Sequence, residues 1–495
     1  MLYRFGPFVL DAGSFALQRG DTPVPLPPKL GDLLSYLVAR PSALVSKEEL
    51  FRSLWPDVVV TDNALTQAVS DLRQALGDDR SNPTYVQTVA KRGYRFVAPV
   101  EVVRAEPTLS RARRRRETSI LDAHRALTEG RLQLESLDAA DVAVAIENFK
   151  RAIDLDPSVP GGYVGLANAH FWMYEMSRHR DHPDASLLSL AIEQAECAVA
   201  LDGELGEAHA TLAYLLVGAN RCAEARAAAQ RAIALEPDNW AHYFRLGNAT
   251  WGSDRLAALR QCLDRYPDFP FAYFQMAMVY VARNALELAA QALRQGSAVQ
   301  EGRPDLRKRF PANGLHWMRG LICLRRGDAH GAVAEFGFEI DSGRHQLYGT
   351  EFAIAAINAH GFALLHDGEG ALAREMFQRA LELSDDQTRA RLGLAQALLG
   401  LDLAAADANR ELARVHDQIA DLQRANRTVD AAIMSAGELV VRGRLDEALQ
   451  TLSRLLADAP PGSAGWSIPI EPLFAPLRDL PAFETLLATL SARAR

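Results

Sequence analysis

The side chains best suited to chemistry lie in TDNALTQAVSDLRQAL (residues 61–76), where amides, hydroxyls and charges recur at helical spacing. From a cap at Thr61 or Asp62, Leu65, Val69, Leu72 and Leu76 fall on one stripe and must pack inward. At about 100° per residue, Asn63, Gln67, Ser70, Asp71 and Gln74 point away from that core, while Thr66 and Arg73 share one flank. Short amides and hydroxyls flanked by an arginine suit a helix laid in a major groove, because amides pair with base edges and guanidinium with phosphate. Taken alone, the pattern equally describes a solvated helix face.

The next segment decides between the two. YVQTVAKRGYRFVAPV (85–100) reads as two β-type runs joined by Ala90-Lys91-Arg92-Gly93, with the glycine permitting a tight turn and two cations at its tip. A basic hairpin directly after a polar-faced third helix has the geometry of a winged helix-turn-helix, whose wing reaches backbone or minor groove. The elements that position these groups come earlier. Residues 3–11 and 15–26 are short β-type runs cut by Gly and Pro. Pro27 and Pro28 open a helix carrying Leu30, Leu33, Leu34 and Leu37, which closes before Pro41. Ser46 and Glu49 form a capping box for a short second helix that buries Leu50, Phe51 and Leu54 and stops before Pro56.

YRFGPFVLD, SKEELFRSLWP, the TDNALTQAVSDLRQALGDD helix and YVQTVAKRGYRF together resemble the OmpR/PhoB-type winged-helix DNA-binding domain, in order, from about residue 2 to 100. The ending KRGYRFVAPV is most similar to the CadC and HilA type of one-piece regulators. The resemblance implies that Gln67 and Asp71 face bases, that Trp55, Asn63, Ser70 and Arg73 lie at phosphates, and that Thr88, Lys91 and Arg92 serve the wing; Thr66 joins this interface from the helix flank. Ser70 and Asp71 stand where response regulators of this family often carry arginine. A carboxylate is repelled by phosphate but accepts from a cytosine amine.

Beyond Ser119 the β signal nearly vanishes and Ala/Leu/Arg/Glu helices dominate. AIENFKRAIDLDP (145–157), AIEQAECAVALDG (191–203) and ARAAAQRAIALEP (225–237) superpose. Ala191, Ala195, Ala198 and Gly203 recur 34 residues later as Ala225, Ala229, Ala232 and Pro237, which is the tetratricopeptide period. Looser copies carry Ala332 with Phe336, Ala373 with Phe377 and Ala380, and Ala448 with Leu452 and Leu455. The region resembles tetratricopeptide repeats, in roughly eight to nine helix pairs with insertions near residues 177–184 and 300–311. The expected architecture is an α+β winged helix at 1–103, a basic linker at 104–119, an all-α solenoid at 120–460 and a capping segment at 461–495. Solenoids bind partners on the surface lined by the first helix of each pair. If Tyr163, His209, Tyr243 and Tyr273 face the core, that surface includes Asn168, Phe171, Tyr214, Phe244, Asn248, Trp251, Phe274 and Met278, amides and rings suited to an extended peptide.

The net charge of −8 conceals a split, since residues 1–116 hold 17 cations against 12 anions. Much of that excess is Arg104–Arg116, with six arginines and one glutamate. Four scattered cysteines, without C-x-x-C spacing, fit a reducing compartment and neither a disulfide framework nor a zinc site. No secretory leader or membrane span is read, so a cytoplasmic bacterial protein is expected. Phosphate-binding glycine loops, a nucleophile elbow and H-E-x-x-H are all missing from the sequence, and His179-Arg180-Asp181 lacks the companion residues of a kinase. The expectation is a transcriptional regulator without enzymatic activity, cofactor or metal. Its partners would be double-stranded promoter DNA, a protein or peptide on the repeats, and as further candidates RNA polymerase and a second copy of the chain on DNA. An antibiotic-regulator type of activator, and an interaction scaffold that does not bind DNA, stay open as alternatives.

Overall fold

Apolar runs broken by Gly6-Pro7 and Gly20 become antiparallel strands: β1 (Leu2–Phe5), β2 (Phe8–Asp11), β3 (Ala16–Arg19) and β4 (Thr22–Val24). Next in the chain come α1 (Pro28–Val38), β5 (Leu44–Ser46), α2 (Lys47–Leu54), α3 (Asp62–Leu76), β6 (Val86–Val89), β7 (Gly93–Phe96) and β8 (Glu101–Val103). One sheet has the order β4-β3-β2-β1-β8 and the other β5-β7-β6. This computed structural model describes residues 2–13, 15–20, 22–55, 62–90, 92–103, 111–136, 138–177, 183–303, 312–341, 348–400 and 405–495. It divides into two units, residues 1–132 with 147–162, and residues 133–146 with 163–495.

The sequence pattern explains each element of the front end. Proline at the first position of α1 loses no hydrogen bond there, and the helix buries Leu30, Leu33, Leu34 and Leu37. The Glu49 N–H donates to Ser46 Oγ at 3.1 Å, which caps α2. Leu65, Val69, Leu72 and Leu76 of α3 are buried as their spacing requires. Phe5 meets Phe96 edge-on at 5.1 Å and Phe8 meets Tyr85 at 5.4 Å, so the two sheets share one aromatic core. That core draws only on residues between Tyr3 and Val100, so the winged domain can fold by itself.

From Arg111 onward the described chain is built of helices: α4 (Arg111–Leu134), α5 (Ala139–Leu155), α6 (Pro160–Ser177), α7 (Ala185–Leu201), α8 (Gly206–Gly218), α9 (Cys222–Leu235), α10 (Trp240–Ala249), α11 (Gly252–Arg265), α12 (Pro270–Ala282) and α13 (Leu286–Gly302). Further pairs are Leu315–Arg325 with Ala329–Ile340, Gly349–His366 with Gly370–Leu383, Thr388–Gly400 with Ala405–Arg424, and Thr428–Val441 with Leu445–Asp458. Ala191, Ala195 and Ala198, and their counterparts Ala225, Ala229 and Ala232, are all at 0% exposure, which is why the repeat needs alanine at the closest helix approaches. Arg111–Arg116, read as linker, already form the start of α4, because arginine, alanine and glutamate favour helix and no glycine or proline interrupts them. Residues 104–110, and most of both insertions (178–182 and 304–311), lie outside the described residues.

Two features differ from the expected array. Tyr163, His209, Tyr243 and Tyr273 are half-buried and not in the core. Three of them reach six residues back: His209 Nε2 lies 2.9 Å from Gly203 O, while Tyr243 and Tyr273 donate to Pro237 O at 2.9 Å and Pro267 O at 3.2 Å. They brace the turn that leads into their own helix. The C-terminal segment also does more than cap. Phe474, Leu477 and Phe483 complete the core of the last repeats, and beyond the helix Pro481–Arg493 the chain returns to α11 and α12. There Ser253 N–H donates to Arg495 O at 3.2 Å, and Arg283 Nε donates to Ala494 O at 2.9 Å.

Candidate nucleic-acid interface

The outward face of α3 carries Thr66, Gln67 and Ser70, all exposed, with Asp71 half-buried beside them. Gln67 Nε2 donates to Asp71 Oδ1 at 2.8 Å, so the pair presents itself as one acceptor-rich unit. Asn63 lies in the first turn of the same helix. Trp55 closes α2, half-buried, with its N–H on Phe51 O at 2.9 Å and the Lys29 ammonium 5.8 Å from its ring centroid.

Arg73 departs from the sequence reading. Only 8% of it is exposed. Nε and Nη2 donate to Val86 O at 3.1 and 2.8 Å, and Nη2 also to Thr88 Oγ1 at 2.7 Å. The two residues assigned to phosphate and wing are therefore bonded to each other. Position 73 lies eight residues after Leu65, which at about 100° per residue brings it to within roughly 80° of the apolar stripe. Burial pushes the Arg73 pKa down, opposed by nearby Asp78.

A second clamp was missed by the sequence reading. Asp78, just past α3, accepts the N–H groups of Thr84 at 2.6 Å and Tyr85 at 3.1 Å on Oδ1, and of Val86 at 2.7 Å on Oδ2. An aspartate immediately after the helix-ending Gly77 was the available signal. Arg73 and Asp78 thus tie the first wing strand to the end of α3 at adjoining points.

At the wing tip, Arg92 is exposed and its N–H donates to Val89 O at 2.9 Å; Lys91 lies outside the described residues. Gly93 does more than allow the turn. Its φ is +142°, and a Cβ there would lie 2.0 Å from Val45 O on β5, which pairs with β7 through Ser46 and Gly93. The glycine sets the wing against the strand that precedes α2.

In the helical unit the expected partner groove is largely packing. Phe171, Phe244 and Asn248 are buried. Tyr214 stacks edge-on against Phe171 at 4.8 Å, Phe274 against Phe352 at 5.7 Å, and Met278 joins an internal cluster. Asn168 Nδ2 donates to Val164 O at 3.0 Å and Thr211 Oγ1 at 3.2 Å. Stacked helices are covered on both faces, so aromatics at helical spacing become core. Of the eight residues, Asn248 and Trp251 border a large cavity.

Residues 21–96 match the family described as "Transcriptional regulatory protein, C terminal", and residues 210–258 match "Tetratricopeptide repeat". The front end thus carries an OmpR/PhoB-type winged helix-turn-helix domain, and the helical region contains tetratricopeptide repeat sequence at residues 210–258. Similar proteins include the transcriptional activator CadC of Escherichia coli K12, 34% identical over 98 residues, or 20% of this chain and 19% of that protein. The cholera toxin transcriptional activator of Vibrio cholerae is 42% identical over 76 residues, 15% of this chain and 26% of that protein. The transcriptional regulator HilA of Salmonella typhimurium is 34% identical over 99 residues, 20% of this chain and 18% of that protein. The chain thus spans about a fifth to a quarter of the length of these relatives. The solved DNA-binding domain of E. coli CadC is 32% identical with a TM-score of 0.19, covering 20% of this chain and 94% of that one. Yeast Tom70 covers 68% of this chain and 66% of its own at 16% identity and a TM-score of 0.43. Among the described residues no helix is long and apolar enough to cross a membrane.

Proposed function

We propose that this chain is a cytoplasmic, non-enzymatic transcriptional regulator whose winged helix binds double-stranded promoter DNA and whose solenoid receives a signal or recruits a protein or peptide partner. The observation that carries the reading is the exposed polar face of α3, with Thr66, Gln67 and Ser70 beside a wing pinned from inside by Arg73 and Asp78. The relatives matched by this segment are transcriptional activators and regulators. In this reading Gln67 and Asp71 meet base edges, Thr66, Ser70, Asn63 and Trp55 flank them at the backbone, and Lys91 and Arg92 meet phosphate. Arg73 and Thr88 act by holding the wing in place. RNA polymerase and a second copy of the chain on DNA belong to the same proposal.

The test is a salt titration of DNA binding. Lys91→Ala with Arg92→Ala should weaken binding to all sequences and reduce the slope of log K against log salt by about 2, one per phosphate contact. Gln67→Ala should instead change the motif recovered by selection from random DNA. A chain without salt-dependent DNA affinity would be an interaction scaffold, and the proposal would fall.

A further inference from the structure

The outward face of α3 carries no cation. Arg73 is the only lysine or arginine between Asp62 and Leu76, and it is 8% exposed with Nε and Nη2 on Val86 O. The commonest specific contact to a duplex, a basic side chain forked onto guanine O6 and N7, is therefore closed to this helix. Its described outward residues are Thr66, Gln67, Ser70 and Gln74, all exposed, with Asp71 half-buried among them. The hydroxyls of Thr66 and Ser70 donate or accept as the partner requires. The contact between Gln67 and Asp71 is more selective. A carboxylate can only accept, so the bond from Gln67 Nε2 to Asp71 Oδ1 at 2.8 Å settles which end of the amide faces Asp71 and makes Oε1 the other end. The carboxylate has about four lone-pair sites and can hold Gln67 and a further donor together.

Two acceptor groups side by side call for a donor, and in the major groove only two bases supply one. Guanine shows N7 and O6 there and thymine O4, all of which meet oxygen lone pairs unfavourably. Adenine shows the N6 amine beside N7, and cytosine the N4 amine alone. Gln67 Nε2 has a second hydrogen, but an adenine N7 reaching for it comes up against the carboxylate that holds the first. Cytosine brings no acceptor. The same carboxylate is repelled by phosphate on every sequence, and the loss is offset only where an amine meets it.

We propose that the Gln67–Asp71 pair reads cytosine, with Gln67 Oε1 and the Asp71 carboxylate accepting the amine hydrogen that a paired cytosine leaves in the groove. Asp71 is the specificity-determining residue of the two, because it accepts from the base and also sets the orientation of Gln67. The inference rests on the reading of this chain as a DNA-binding regulator whose α3 enters the major groove, and it adds which base that helix selects.

The experiment selects duplexes from a random library with the full chain and with its Asp71→Ala and Asp71→Asn variants, then measures affinity for the enriched duplex and for random-sequence DNA at several salt concentrations. The motif of the unaltered chain should contain a cytosine that 2-pyrimidinone, which lacks the N4 amine, cannot replace without a loss of at least about fivefold, the low end of what one good base contact discriminates. Asp71→Ala should not feel that replacement. In this variant the Gln67 amide can fork onto adenine N6 and N7, so the preferred base at the position should change from cytosine to adenine while affinity for random-sequence DNA rises. Asp71→Asn keeps the side-chain volume and removes the charge; it should lose the cytosine preference too, and its circular dichroism melt separates lost reading from lost folding. Guanine, thymine or adenine at the position in the unaltered chain's motif, the same motif from Asp71→Ala, or undiminished binding of the 2-pyrimidinone duplex would overturn the proposal. If salt-dependent binding persists without the switch from cytosine to adenine, this inference alone is lost; if the unaltered chain shows no salt-dependent DNA binding, the regulator reading goes with it.

Discussion

Arg73→Met offers the sharpest separation of a structural from a phosphate-binding role. Methionine refills most of the volume but leaves Val86 O and Thr88 Oγ1 without their donor. A hydrogen bond from a charged donor is worth about 1.5–3 kcal/mol, and an acceptor left buried and unpaired costs about 1–3 kcal/mol. Nε and Nη2 share one acceptor, Thr88 is itself exposed, and the variant no longer buries a cation; these give a net loss of about 3 kcal/mol. For a domain of about 100 residues, 1 kcal/mol shifts the melting temperature by about 4–8 °C, so a fall of about 12–24 °C is expected. The assay is thermal unfolding of the isolated 1–103 fragment, whose core is its own. It is combined with DNA titration at several salt concentrations well below the melting temperature. Affinity should drop because the wing is no longer registered on α3, while the salt slope stays unchanged. A stability loss under about 1 kcal/mol, or a slope shallower by about 0.9, would instead put the guanidinium on a phosphate and refute the clamp.

Four other outcomes are expected from the same geometry. Gly93→Ala should unfold the winged domain outright, since its Cβ would sit 2.0 Å from Val45 O at a φ of +142°; a circular dichroism melt resembling that of the unaltered fragment would contradict this. Burial pushes the Cys262 thiol up to about 12, whereas Cys197 and Cys222 are exposed, so iodoacetamide on the native protein should label the latter two and spare Cys262 by mass spectrometry. The hydrogen bond from His242, 2.9 Å away, holds the Glu236 carboxyl below its ordinary value. A depressed carboxyl contributes stability above its unfolded pKa and loses it as pH falls through the folded value, so Glu236→Gln should flatten the acid limb of the helical unit's stability curve. Gly252, at φ +64° with Ala494 O only 2.7 Å from where a Cβ would stand, seats the chain's return; Gly252→Ala should speed tryptic cleavage after Arg478 and Arg493, and an unchanged digestion pattern would sink that view.

The readable parts of the sequence were those governed by period and local capping. The stripe Leu65, Val69, Leu72 and Leu76, the Ser46–Glu49 cap and the 34-residue alanine register depend only on neighbours along the chain, and the structure has them in place. The errors arose where two distant segments meet. Arg73 looked like a surface cation because nothing local shows that Val86 O lies within reach, and Gly93 looked like a turn residue because the approach of β5 is a tertiary event. The aromatic and amide stripe of the first repeat helices looked like a groove because a single helix does not show that both its flanks are covered. Trp251 borders a cavity, and the wall formed there by Pro460–Ser467 had no signature in a stretch read only as a cap.

The charge arithmetic changes once side-chain partners are known. Residues 1–103 hold 11 cations and 11 anions. Five of those cations have partners within the domain: Arg73 on the wing strand, Arg40 over the Tyr36 ring at 3.8 Å, Lys29 and Arg19 each 5.8 Å from a ring centroid, and Arg4 within 3.9 Å of Glu101. The polar face of α3 carries a carboxylate at its centre. A domain of this kind can discriminate bases, because hydrogen bonds to base edges survive salt, but it attracts phosphate weakly. The whole cationic surplus of the front end lies in Arg104–Arg116. In the proposed regulator, discrimination and affinity would therefore be supplied by separate segments: α3 would choose the site, and the arginine tract, with a second copy of the chain or without one, would hold the protein to it.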